Sequence, residues 1–177
     1  MTQPSMTRVT ALLLVSRCAV ASAWAAEAPV ALSIAIPQRE DGTRRVITGR
    51  PNEHFHVLLS SRTGPLRVWD DAFSWGYYAL SFELVREHGE VRAIHKKPLD
   101  FTVNVPAWLR LEPPDQLVFD VFLGDRTVWD GVPQAVPSCE RARLRAIYEV
   151  KEDARSAEHH VWTGRVVSEL TLVMLCQ

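Results

Sequence analysis

The chain has 177 residues, with 20 Lys and Arg against 21 Asp and Glu, a net charge of −1 and 47% apolar residues. That length suits one domain able to bury a core without staples. The near-neutral balance excludes a global basic field of the kind that recruits nucleic acid.

The first segment reads as a leader. Arg8 is followed by "VTALLLVSRCAVASAWA", an apolar run interrupted by Arg17, and Ala23-Trp24-Ala25 offers an A-x-A cleavage site. This is the layout of a secretory signal peptide over residues 1–25, leaving a domain over 26–177. The run is shorter than the ~20 residues of a membrane span, so no transmembrane segment is expected in the mature chain. Arg17 stands directly before Cys18, where acylation of that cysteine needs a small residue. Loss of residues 1–25 removes Arg8 and Arg17 and no acid, so the mature charge is about −3. Cys139 and Cys176 remain. An oxidising compartment favours a bridge between them, and neither has the spacing of a redox centre or a thiolate metal site.

Most of the remaining sequence alternates with a period of two. "PVALSIAIP" puts Val30, Leu32, Ile34 and Ile36 on one side, and "HFHVLLS" does the same with Phe55, Val57 and Leu59. "YYALSFELV" continues the pattern with Tyr78, Leu80, Phe82 and Leu84. His88-Gly89 then reads as a two-residue hairpin loop into "VRAIHKK". "LDFTVNV" predicts a strand with Leu99, Phe101, Val103 and Val105 inward. "WLRLEPPDQ" reads as a short strand stopped by two prolines. "LVFDVFL" sends Leu117, Phe119, Val121 and Leu123 inward, and "RARLRAIYEV" sends Ala142, Leu144, Ala146, Tyr148 and Val150 inward. Residues 125–139, with two prolines and "WDG", read as a long loop, "VKEDARSAEHH" as the loop of the final hairpin, and "HVWTGRVVSELTLVML" as its closing strand. Eight or nine short strands at this spacing predict an all-β antiparallel sandwich.

Three places carry a resemblance. "GRPNEHFHVLLSSRTGPLRVWD" looks like an opening strand pair closing on tryptophan. "LRLEPPDQLVFDV" looks like the turn before a central strand, with Pro113-Pro114 where such turns usually have Pro-Gly. "RLRAIYEV" followed by "WTGRVVSELTLVM" looks like the last two strands. Together they resemble an immunoglobulin-like β-sandwich domain of bacterial exported proteins, over about Ile47 to Leu175. The chain departs from the antibody pattern, having no cysteine on the early strand and no tyrosine at the start of the final pair. The resemblance implies a fold and no function.

The cysteines fit this topology. Facing residues of an antiparallel ladder keep a constant sum of residue numbers. Placing Val150 opposite Arg165 and Cys139 opposite Cys176 satisfies one ladder, so a Cys139–Cys176 disulfide is expected. Parity opposes it, since Cys176 shares a face with Leu170, Leu172 and Met174 while Cys139 shares one with Arg141 and Arg143. A bulge, or strand entry after Ser138, removes the conflict.

The functional candidates are surfaces. "VWDDAFSWGYY" concentrates aromatic rings around two acids, and Trp69 and Trp75 would suit stacking on a glycan, although packing of a sandwich corner explains them more simply. Of these rings Trp75 is expected to be the most exposed. Asp70, Asp71 and Asp130 offer oxygen ligands for calcium if two loops meet, but Asp beside Gly is also ordinary turn chemistry. His54 and His56 lie two apart on a strand, and His159-His160 follow in a later loop. If the pairs converge, four imidazoles would hold copper or zinc. Arg141, Arg143 and Arg145 alternate along one strand as an outward guanidinium stripe, extended by Arg165, with Glu149 and Glu169 as possible acids beside it.

No G-x-S-x-G, H-E-x-x-H, phosphate-loop or dinucleotide motif occurs, so the expectation is a non-enzymatic binding module without a cofactor. Its partner would be an envelope protein or a glycan, met in the periplasm or outside the cell. Alternatives are a copper or zinc envelope protein and a protease inhibitor presenting the 125–139 loop, with a hydrolase of unrevealed site behind both.

Overall fold

The computed structural model describes residues 28–47, 54–133 and 139–176. The expected signal peptide, residues 1–25, lies outside them. The described chain is all-β, built of antiparallel sheets with two short helices. No helix among the described residues is long and apolar enough to cross a membrane.

The smaller sheet forms where alternation is cleanest. β1 (Val30–Ala35) pairs with β3 (Phe55–Ser61), which pairs on its other edge with β8 (Gln116–Val121). Val30, Leu32, Phe55, Val57, Leu59, Phe119 and Val121 are buried, as period two predicts.

The larger sheet runs β2 (Arg45–Ile47), β12 (Thr171–Cys176), β10 (Glu140–Val150), β5 (Leu80–Arg86), β6 (Val91–Lys96) and β9 (Trp129–Asp130). β11 (Gly164–Val167) also pairs with β10, and β2 lies parallel to β12. β10 is the spine. Its Ala142, Leu144, Ala146, Tyr148 and Val150 are all buried while the intervening side chains face away. The two inner faces meet through rings. Phe55 lies edge-on to Phe82 at 5.7 Å, and Phe119 meets Tyr148 at 5.9 Å. Such pairs add ~0.5–1.5 kcal/mol beyond their area. A separate ribbon, β4 (Leu66–Trp69) with β7 (Trp108–Leu111), completes the fold.

Four expectations are corrected. "LDFTVNV" is a loop, with Leu99, Val103 and Val105 at least half exposed. It pairs with no strand among the described residues, and its alternation has no core to face. Tyr78 is exposed rather than inward, because a single helical turn, α1 (Ser74–Tyr77), precedes β5. The β5–β6 hairpin has a three-residue loop, with Arg86 facing Glu90 and Gly89 at φ +82°. The β10–β11 connection holds a helix, α2 (Ala154–Glu158). There Asp153 accepts from the Ser156 N–H at 2.7 Å and the Ser156 hydroxyl accepts from the Asp153 N–H, a reciprocal cap.

Cys139 and Cys176 are joined, with Cα atoms 4.3 Å apart. The parity conflict is removed by a one-residue insertion. Facing numbers sum to 314 along β11 and to 315 along β12, so Val150 faces Gly164 and not Arg165. At the break the Ser168 hydroxyl accepts from the buried Ala146 N–H at 2.9 Å, standing in for the missing ladder carbonyl. Beyond it Val173 and Leu175 turn inward while Leu172 turns out, 60% exposed.

Candidate functional site

The outer face of the large sheet carries the expected arginine stripe, and the register decides what each member meets. Arg145 faces Glu83, and its Nη2 lies 2.6 Å from the carboxylate. Arg165 faces Glu149 at 3.6 Å. Arg86 is not of the stripe, since the register sets it opposite the buried Ala142 at the end of β5. There it grips Glu140 with two nitrogens at 2.9 and 2.8 Å and reaches Glu90 at 3.0 Å. The charge-assisted bond to Glu140 raises the Arg86 pKa further.

Arg141 and Arg143 differ. Arg141 faces Met174, and Arg143 faces Val85 on one side and Leu172 on the other. Neither has a carboxylate partner among the described residues. Both are exposed and line a groove of about 440 Å³ together with Val85, Gly89 and Leu172. Glu87 is the one acid on its lining. The arrangement offers two guanidinium forks without a carboxylate among the described residues beside the exposed Leu172, a chemistry that suits carboxylate or phosphate groups on a partly apolar ligand.

The other candidates are placed as follows. Trp69 is 1% exposed, and Trp75 packs against it at 6.0 Å. Trp75 is therefore not the exposed ring. In that stretch Tyr78 is the exposed ring, at 47%. Outside it Trp108, which faces Trp69 across the ribbon, is 38% exposed, with the Arg67 guanidinium 4.1 Å from its ring centroid. "VWDDAFSWGYY" folds back on itself because Asp70 accepts from Ala72 through its side chain and from Phe73 through its carbonyl. Gly76 then approaches so closely that a Cβ there would sit 2.3 Å from the Asp70 oxygen. Lys96 lies 4.3 Å from the Tyr77 ring centroid. Burial holds its ammonium below the ordinary lysine range, with the Asp71 charge opposing.

His54 and His56 put their Nδ1 atoms 3.0 and 3.5 Å from the same oxygen of Asp120 on β8. His159 instead packs edge-on to Trp69 at 5.7 Å. Among the described residues no group of three or more His, Cys, Asp or Glu is arranged to hold a metal ion, calcium ligands included. Asp130 meets His95 at 3.7 Å rather than the Asp70–Asp71 turn. In the 125–139 stretch, Trp129 and Val132 are buried and Arg126 donates to the Val132 and Pro133 carbonyls. That part lies against the body, while residues 134–138 fall outside the described ones.

Two features escaped the sequence. The split of the stripe into paired and unpaired arginines depends on cross-strand register. Trp108 was legible only as a strand residue, with nothing to say which face of the ribbon was open. Comparison with family models, with curated proteins and with solved structures finds no match to this chain.

Proposed function

We propose that the protein is a non-enzymatic, exported binding module of immunoglobulin-like sandwich type, and that it captures an anionic protein segment or glycan in the Arg141–Arg143 groove. One observation carries this reading. On a face where Arg145 and Arg165 each find a carboxylate, Arg141 and Arg143 find none among the described residues and stand beside the exposed Leu172. A free guanidinium is ready to pair without first breaking an ion pair. The antiparallel sheets meeting through rings support the sandwich type, although the parallel β2–β12 pair and the separate β4–β7 ribbon depart from its simplest form. The Cys139–Cys176 bond is compatible with export to an oxidising compartment. The histidines carry no second reading, because Asp120 holds one pair and Trp69 packs His159 of the other.

The test is fluorescence titration of the purified protein with an acidic peptide and an anionic oligosaccharide, each beside a neutral counterpart. Saturable, salt-sensitive binding of an anionic probe that disappears in an Arg141→Gln, Arg143→Gln variant is expected. Binding of equal strength in that variant rejects the groove.

A further inference from the structure

A second cationic cleft lies on the β4–β7 ribbon, away from the groove just described. Arg67 and Arg110 face one another directly across this ribbon. Like charges at facing positions of a sheet repel, and here their partners answer them only in part. Arg67 donates from one Nη1 to the His159 carbonyl at 2.9 Å and lies over the Trp108 ring. Arg110 meets the Glu112 carboxylate through its Nε at 2.7 Å.

The helix end supplies the third wall. His160 follows the last turn of α2 with φ +52°, in the left-handed region that a residue with a Cβ enters at a cost. Its ring has no hydrogen-bond partner among the described residues, and it closes a cleft of about 330 Å³ with Pro65, Leu66, Arg67 and Arg110. Two guanidinium groups and an imidazole thus converge on one space, with Glu112, just past the end of β7, meeting one of them.

We infer that this cleft binds a tetrahedral oxyanion, a phosphate or sulfate ester group, between Arg67, Arg110 and His160. A dianion there converts the Arg67–Arg110 repulsion into attraction to both. Its several oxygens can meet donors on two strands and a helix end at once, where a carboxylate has only two oxygens to offer. Arg is the residue suited to such recognition, with a planar fork of donors on each side. The half-exposed Trp108 ring beside Arg67 gives the remainder of the ligand an apolar surface to lie on.

The experiment is isothermal titration of the purified protein with sodium phosphate and, separately, sodium sulfate at fixed ionic strength. Two variants test the site without disturbing Arg67, which also holds the fold together. Arg110→Gln removes one fork from an exposed position. His160→Gly removes the imidazole while relaxing the backbone, since glycine adopts positive φ freely. Saturable binding of either oxyanion, weakened about tenfold or more in each variant and unchanged in Arg141→Gln, Arg143→Gln, is expected from the loss of one charge-assisted contact. A preference for phosphate assigns a phosphoester ligand and a preference for sulfate a sulfate ester. Binding that does not saturate, that survives both variants, or that is lost in the Arg141→Gln, Arg143→Gln protein overturns the inference.

Discussion

Arg143 stands directly across the ladder from Leu172, a guanidinium without a carboxylate among the described residues beside an apolar side chain left 60% exposed. Two residues along the same strand Arg145 is bound to Glu83. The two arginines should therefore respond oppositely to the same change. Arg143→Gln is expected to leave urea stability unaltered and to weaken capture of anionic probes. Arg145→Gln is expected to cost about 0.5–1 kcal/mol, the worth of a partly exposed pair, and to leave capture intact. Equal loss of capture in both would mean that the face attracts anions by its total charge and has no defined groove.

Tyr148 is fully buried, and its hydroxyl has no hydrogen-bond partner among the described residues. An unsatisfied buried hydroxyl costs ~1–3 kcal/mol, so Tyr148→Phe should raise stability by about 1 kcal/mol. Burial, and secondarily the Asp71 charge, pushes this phenol above the ordinary tyrosine range. A group raised in the folded state gives stability that is whole below its unfolded pKa, ~10 for tyrosine, and is lost as pH climbs toward the folded value. Wild-type stability should fall above about pH 10, and Tyr148→Phe should lack that share of the decline. Urea melts across the alkaline range decide it, and a variant no more stable than wild type would reveal a partner for the hydroxyl.

Ser168 fills a gap that alanine cannot. Its hydroxyl accepts from the Ala146 N–H in the middle of the spine strand and donates to the Glu169 carbonyl. Ser168→Ala should cost about 2 kcal/mol by leaving that amide buried and unpaired. Hydrogen exchange at Ala146 should quicken beyond what the global loss explains.

Gly76 is buried against the backbone of Asp70 and Asp71, with no positive φ to explain it. The restriction is space. Gly76→Ala should lower stability by about 2 kcal/mol or more, because the obstructing atoms belong to the main chain and cannot swing aside. A thermal melt followed by tryptophan fluorescence reads the loss and the opening of the Trp69–Trp75 contact together. An unchanged melting temperature would mean that the turn relaxes freely.

Strands whose alternation is confirmed by burial, such as β3, β8 and β10, were legible because one face meets a core in every register. "LDFTVNV" has the same pattern and no strand, since alternation states only that a strand would be amphipathic and not that a neighbour is present to pair it. α2 was hidden by its shortness, although Asp153 and Ser156 spell out its cap. The disulfide was expected from a ladder sum of 315 that holds along β12 but not along β11, where its anchor Val150 faces Gly164. Its parity problem pointed to a bulge that the sequence could not position. The candidate site was half legible. The stripe follows from spacing on β10, but the freedom of Arg141 and Arg143 depends on β5 presenting Glu83 to Arg145 and Val85 to Arg143, a pairing fixed only by tertiary structure.

The insertion between β11 and β12 governs more than its own turn. Had the register of β11 continued, Val173 would lie opposite Arg141 and Leu175 opposite Cys139. Leu172 and Met174 would point into the core, and Cys176 would face away from its partner. The recognition surface and the covalent clamp are thus inherited together from a single residue of slack. A deletion anywhere in 168–170 would erase both while leaving every side chain that builds them in the chain.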